Sequence, residues 1–178
     1  TTHIVLNSSE SLFLKISIGG IFNILNGELP SYLVDHHLFN RKGEGEGQLV
    51  GGNLALIYAL LGTKYDFNFR EKILFIEDIG EQYYSLDRML MSLDLAGVFK
   101  QINGLIVGGM INMGEEKSNK NYEESFDEFA YKLVADRISK YNFPTVFGFP
   151  NGHIFDNRPL IIGADVKIKV KDKAEVEF

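Results

Sequence analysis

Four consecutive apolar residues, Ile73, Leu74, Phe75 and Ile76, run without a break into Glu77 and Asp78. A run this short and this apolar predicts a strand buried on both faces, as the strands of a covered sheet must be. Its abrupt end in two acids constrains the chain further, because open α/β sheets carry their chemistry at the carboxyl ends of such strands. After a short polar loop, Ser85 is expected to cap a helix. Its apolar residues Leu86, Met89, Leu90 and Leu93 recur at helical spacing, with Gly97 as its stop. This strand–acid–helix unit suits a catalytic carboxylate. Taken by itself, the unit better suits two acids that merely face water at a loop.

A chain of 178 residues, 45% hydrophobic and 24% charged, can bury a sizeable core as one domain. The net charge of −6, with no basic cluster, excludes a nucleic-acid surface. No apolar run approaches the ~20 residues of a membrane-spanning helix, and no signal peptide is recognisable. The chain has no cysteine, so disulfides and thiolate chemistry are excluded. It starts at Thr1 rather than methionine, and a fragment is the expectation.

Along the chain, Thr2–Leu6 and Tyr32–His37 are expected as strands, whereas Leu12–Leu25 shows no clean period around Gly19 and Gly20. The pair His36–His37 invites a metal reading, but neighbours on a strand point to opposite faces and make poor joint ligands. Gly43, Gly45 and Gly47 mimic a phosphate loop without its Lys-Ser/Thr or a preceding apolar strand, and Glu44 and Glu46 would repel phosphate. Asn53 is expected to cap a helix with Leu54, Ile57, Tyr58 and Leu61 on one face, ended by Gly62. Gly51 and Gly52 before it fit either backbone donors for a carboxylate or oxyanion, or a tight turn with an ordinary cap.

A second buried strand is expected over Gly104–Met110, ending in Gly108 and Gly109, followed by a polar loop at Asn112–Asn121. A long helix then carries Phe126, Phe129, Ala130, Leu133, Val134, Ile138 and Tyr141 on its buried face, closed by Pro144. A third apolar strand, Thr145–Phe149, runs into Pro150–Asn151–Gly152–His153. A histidine at that place can serve as a base or stay structural. Ile161–Ile162, Val166–Val170 and Ala174–Phe178 are expected as closing antiparallel strands, with Lys171–Asp172–Lys173 as a turn. No repeat or linker divides the chain.

Three segments stand in order, RKGEGEGQLVGGNL (41–54), ILFIEDIGEQYYSLDRML (73–90) and FGFPNGH (147–153). Together they resemble the C-terminal half of the LD-carboxypeptidase family, serine peptidases that include the microcin C self-immunity proteins. The resemblance covers about residues 38–163. It implies an α/β fold of the swivelling β/β/α type, with parallel core strands, a smaller β layer and flanking helices. It also implies a Ser–Glu–His triad in which Glu77 is the acid and His153 the base. Gly51, Gly52 and Asn53 would lie near the substrate, Asn53 in contact with it, and Asp78 and Arg88 would support Glu77 and the helix. No metal or organic cofactor is implied.

The family's serine sits in a Gly-x-Ser-Asp motif on an N-terminal domain, and that motif occurs nowhere in this sequence. Ser8, Ser9 and Ser11 lie in no strand–elbow–helix context. The expectation is therefore a single C-terminal domain over 1–178, with 1–37 as the connection from an absent nucleophile domain. The chain alone is expected to be inactive. The resemblance implies hydrolysis of the amide bond between an L-centre diamino acid and a terminal D-alanine in muropeptides, in cytoplasmic peptidoglycan recycling, by a homodimer. Two other readings stand beside it. One is a self-immunity peptidase acting on an aminoacyl-nucleotide antibiotic, the other a non-catalytic binding domain of the same fold.

Overall fold

The apolar runs become the centre of a seven-stranded sheet. The computed structural model describes residues 8–114 and 126–178. The strand expected at Thr2–Leu6 and most of the 112–121 loop lie outside them. In chain order the elements are α1 (Ser8–Leu25), β1 (Ser31–Val34), β2 (Gly43–Asn53), α2 (Leu54–Leu60), β3 (Ile73–Ile79) and α3 (Tyr83–Leu95). They continue with β4 (Gly104–Ile111), α4 (Glu128–Ile138), β5 (Thr145–Phe147), β6 (Asp165–Val170) and β7 (Ala174–Glu177). The sheet order is β1-β7-β6-β2-β3-β4-β5. Strands β2, β3, β4 and β5 are parallel, while β6, β7 and β1 join antiparallel.

The pleat sorts side chains between two cores. Leu74 and Ile76 of β3 face α2, α3 and α4, packed with Leu54, Leu86, Leu90, Val134 and Ile138. Ile73 and Phe75 face the other way, onto Val166, Ile168, Val170 and Val176 of the antiparallel strands. The layers are therefore helix, parallel sheet and smaller β layer, as the resemblance implied. β2 joins the antiparallel and parallel parts of the sheet: it pairs with β6 through Gln48 and with β3 from Leu49 onward. The glycine-rich stretch 43–47 is thus strand, not a loop.

Several local expectations change. Leu12–Leu25 belongs to α1. The start of α3 is Tyr83 with Gln82 at the cap position, so Ser85 lies inside the first turn instead of capping it. Within α4, Tyr131 turns inward and its hydroxyl donates to Gly108 O at 2.8 Å, whereas Phe129 is exposed and packs edge-on against Tyr83. Gly108 and Gly109 lie within β4, as the expected strand over Gly104–Met110 had them, and the strand runs one residue further, to Ile111. Ile161–Ile162 form no strand; they lead to Gly163, whose N–H donates to Leu49 O at 2.8 Å. No helix among the described residues is long and apolar enough to cross a membrane.

Candidate active site

Glu77 sits near the carboxyl end of β3, on the face it shares with Phe75, and is 6% exposed. β5 is two strands away, so any residue that follows it must cross β4 to reach Glu77. The crossing point is built into β4. Ile76 pairs with Val107 and Asp78 with Met110, so β4 bulges at Gly108–Gly109, opposite Glu77. A side chain on Gly108 would strike Asn151 O and the Phe75 ring closer than 3.0 Å. Without one, the segment after β5 lies flat on the sheet. Phe149 N–H donates to Val107 O at 3.1 Å, and Gly109 N–H to Asn151 O at 2.9 Å. In the sequence the two glycines look like a strand end; their function as a saddle needs the strand order.

Gly152 completes the approach. Its φ is +118°, and a Cβ there would stand 2.9 Å from Glu77 Oε2 and 3.1 Å from Glu77 Cβ. The chain therefore passes directly over the acid and delivers His153, whose Nδ1 lies 2.8 Å from Glu77 Oε2. The acid's side chain is 8% exposed and that of His153 is 52% exposed. An ionised carboxylate can only accept, so opposite an ionised Glu77 the bonded Nδ1 is the donor, and a neutral ring would then have Nε2 as its acceptor. The pair thus joins a buried carboxylate to a half-exposed imidazole.

Asp78, on the opposite face, does different work. Its carboxylate accepts from Asn53 Nδ2 at 2.9 Å, from Ala55 N–H at 3.1 Å and from Ile79 N–H at 2.8 Å. Burial pushes its pKa up, and the hydrogen bonds from Ile79 and Asn53 oppose that shift. Both acids are buried, so the reading in which they face water fails. Asn53 caps α2 by accepting from Leu56 N–H at 3.2 Å. In the parallel register Gly51, Gly52 and Asn53 stand beside Phe75, Ile76 and Glu77. Gly51 packs on Phe75 O, while the side of Gly52 where a Cβ would project is open space. The GGN element therefore opens at the same sheet edge as the acid–histidine pair.

Arg88 stays on α3, where it donates to Ser85 Oγ at 3.2 Å and lies over the Tyr84 ring. His37 is held apart from His153: its Nδ1 accepts from Phe39 N–H at 3.3 Å and its Nε2 lies 3.2 Å from Glu128 Oε1. Among the described residues, no three His, Cys, Asp or Glu side chains converge as a metal site. Gly108, Asn151 and Gly152 are the site-building residues that sequence reasoning left without a role. Their only local signal was the Pro-Asn-Gly turn.

The fold and this geometry define a class: an α/β domain that presents an acid–histidine pair at the carboxyl edge of its parallel strands. Residues 46–168 match the LD-carboxypeptidase C-terminal domain, and the chain belongs to that family. It is 34% identical over 134 residues to the probable murein peptide carboxypeptidase of Bacillus subtilis, covering 75% of this chain and 40% of that protein. It is 29% identical over 150 residues to the murein tetrapeptide carboxypeptidase of Pseudomonas aeruginosa, covering 84% of this chain and 45% of that one. The chain therefore spans less than half the length of these curated relatives. In fold it is similar to the muramoyltetrapeptide carboxypeptidase of Oxalobacter formigenes, with a TM-score of 0.77 at 24% identity over 98% of this chain and 56% of the other. The microcin C7 self-immunity protein MccF shares the fold at a TM-score of 0.65 and 22% identity, over 83% of this chain and 40% of its own.

Proposed function

We propose that this chain supplies the acid and the base of a serine-type LD-carboxypeptidase whose nucleophile comes from a separate domain. The observation that carries the reading is the 2.8 Å contact between buried Glu77 and half-exposed His153. A serine hydroxyl becomes an effective nucleophile only when a neighbouring base takes its proton. His153 Nε2, on the open side, is that base. Glu77 holds Nδ1–H, fixes the tautomer and stabilises the imidazolium formed during attack. The imidazolium then gives its proton to the leaving amine, and water repeats the cycle on the acyl-enzyme. In this reading Gly51, Gly52 and Asn53 line the substrate side beside Glu77, with Asn53 contacting the substrate while Asp78 and the α2 cap hold its side chain. No metal or organic cofactor enters this chemistry.

The substrate class is a muropeptide stem, cleaved between an L-centre diamino acid and a terminal D-alanine. The named murein carboxypeptidases among the relatives support it, whereas the likeness to MccF is one of fold. Residues 1–37 are then the connection from the serine-bearing domain, and the intact enzyme a cytoplasmic homodimer. The test is a pair of assays for D-alanine release from a murein tetrapeptide. The 178-residue chain alone is expected to be inactive, and the same chain joined to a serine-bearing N-terminal domain active. Turnover by the chain alone that follows the folded protein through purification would overturn the proposal. A substrate panel including an aminoacyl sulfamoyl nucleoside separates the muropeptide reading from the self-immunity one.

A further inference from the structure

His153 rides on a loop that closes on itself. Arg158 N–H donates to Pro150 O at 2.8 Å, and Asn151 Nδ2 donates to Arg158 O at 2.5 Å. Gly152 N–H reaches across the loop to Asn157 Oδ1 at 3.3 Å. β4 supports one side through the Gly109–Asn151 bond. The other side rests on α1 and β1. Ser17 Oγ–H donates to Asn157 O at 2.6 Å, and Tyr32 Oη–H donates to Pro159 O at 2.6 Å. Gly20 meets the Pro159 ring so closely that a Cβ would stand 2.9 Å from its Cγ. Asn157 therefore connects α1 directly to the residue before His153, through its carbonyl on one side and its side chain on the other.

We propose that α1 is a positioning element for the base: it clamps the 150–158 loop onto β4 and thereby holds His153 on Glu77. The role rests on His153 acting as the base. Ser17 and Gly20 are positioning residues, since neither touches Glu77 or His153. A surface loop anchored only at its ends opens at low free-energy cost, and a second support from outside raises that cost. The arrangement also has a consequence for the intact enzyme. α1 belongs to the connection from the serine-bearing domain, so one helix both joins that domain and sets the base it needs.

The experiment uses the 178-residue protein labelled with ¹⁵N and reads the His153 imidazole by nuclear magnetic resonance, assigned with a His153→Asn variant. In the parent, Nδ1–H is expected to be hydrogen-bonded and protected from exchange with water. Gly20→Leu pries α1 from Pro159, and its Nδ1–H exchange should rise roughly three- to tenfold, the change for one ordinary hydrogen bond lost from the closed loop. Gly19→Leu, the same substitution on the neighbouring position where a Cβ meets nothing within 4 Å, should leave exchange unchanged. Ser17→Ala is the milder variant and serves if Gly20→Leu fails to fold. Amide exchange of the β4 core in each variant separates local loosening from global destabilisation. A protected Nδ1–H that is unaltered in both Gly20→Leu and Ser17→Ala overturns the clamp and leaves the triad reading intact. An unprotected Nδ1–H in the parent removes the Glu77–His153 pair, and the clamp with it.

Discussion

Gly152→Ala tests the approach geometry most directly. The residue holds φ at +118°, a conformation nearly restricted to glycine, and strain of this kind costs about 1–3 kcal/mol. A methyl there would also stand 2.9 Å from Glu77 Oε2, 3.1 Å from its Cβ and 3.3 Å from its Cγ. Glu77 Cβ is fixed by β3, so only the carboxylate or the loop can give, and such crowding adds about 1 kcal/mol. A combined ~3 kcal/mol disfavours the bonded loop geometry roughly 150-fold against displaced ones. In the serine-bearing enzyme, kcat for D-alanine release should fall by up to that factor while KM changes little, as expected for a dyad that acts in the chemical step. Circular dichroism should show an unaltered fold, since the loop lies outside both cores. A Gly152→Ala enzyme that keeps kcat within a few-fold of the parent would refute the claim that this glycine admits the histidine to the acid.

In the same enzyme, Glu77→Gln should leave folding nearly unchanged yet cut turnover by roughly 10²–10⁴-fold, as orienting acids in triads do. His153→Ala should cost at least as much, and the double variant little more than the worse single, because triad members act as a unit; additive losses in kcat would count against the pairing. Asp78→Ala should destabilise the 178-residue chain by about 1–3 kcal/mol in urea melts, because it strands the half-buried Ala55 and Ile79 N–H groups and the Asn53 amide. Asp78 also predicts a sign in pH. Its folded pKa is raised, so between the unfolded value near ~3.9 and the raised one the native state binds more protons than the unfolded state. Its contribution to stability is therefore lost as pH rises through that window. The stability–pH curve of Asp78→Asn should lack this loss, and a parent curve with no fall that the substitution removes would contradict it.

Local pattern was enough for the elements themselves. The run Ile73–Ile76 is a strand because four adjacent apolar residues need cover on both faces, and Leu86, Met89, Leu90 and Leu93 are buried on α3 because their spacing puts them on one stripe. Residues 165–170 and 174–177 alternate in burial as their sequence does. Asn53 caps α2 because its short polar side chain reaches the free N–H groups of the next turn. The motifs also carried the family.

What the sequence left open depends on contacts between distant segments. Glu77 and His153 stand 76 positions apart, and nothing near either one says that the chain will cross β4 between them. Gly108 and Gly109 look like a strand end until the strand order makes them a saddle. Gly43–Gly47 look like a loop until β6 pairs with them. Tyr131 shares the buried stripe of α4 with Val134 and Ile138, and its hydroxyl donates to a carbonyl on β4, a partner that helical spacing does not reveal. α1 forms although Gly19 and Gly20 weaken it locally, and the glycine that packs on Pro159 is chosen by the neighbour. Periodicity is set by adjacent residues, whereas a site of this kind is set by which strand ends the topology brings together. The acids were therefore visible in the sequence, and the partners that each one meets on its own face of β3 were decided by the fold.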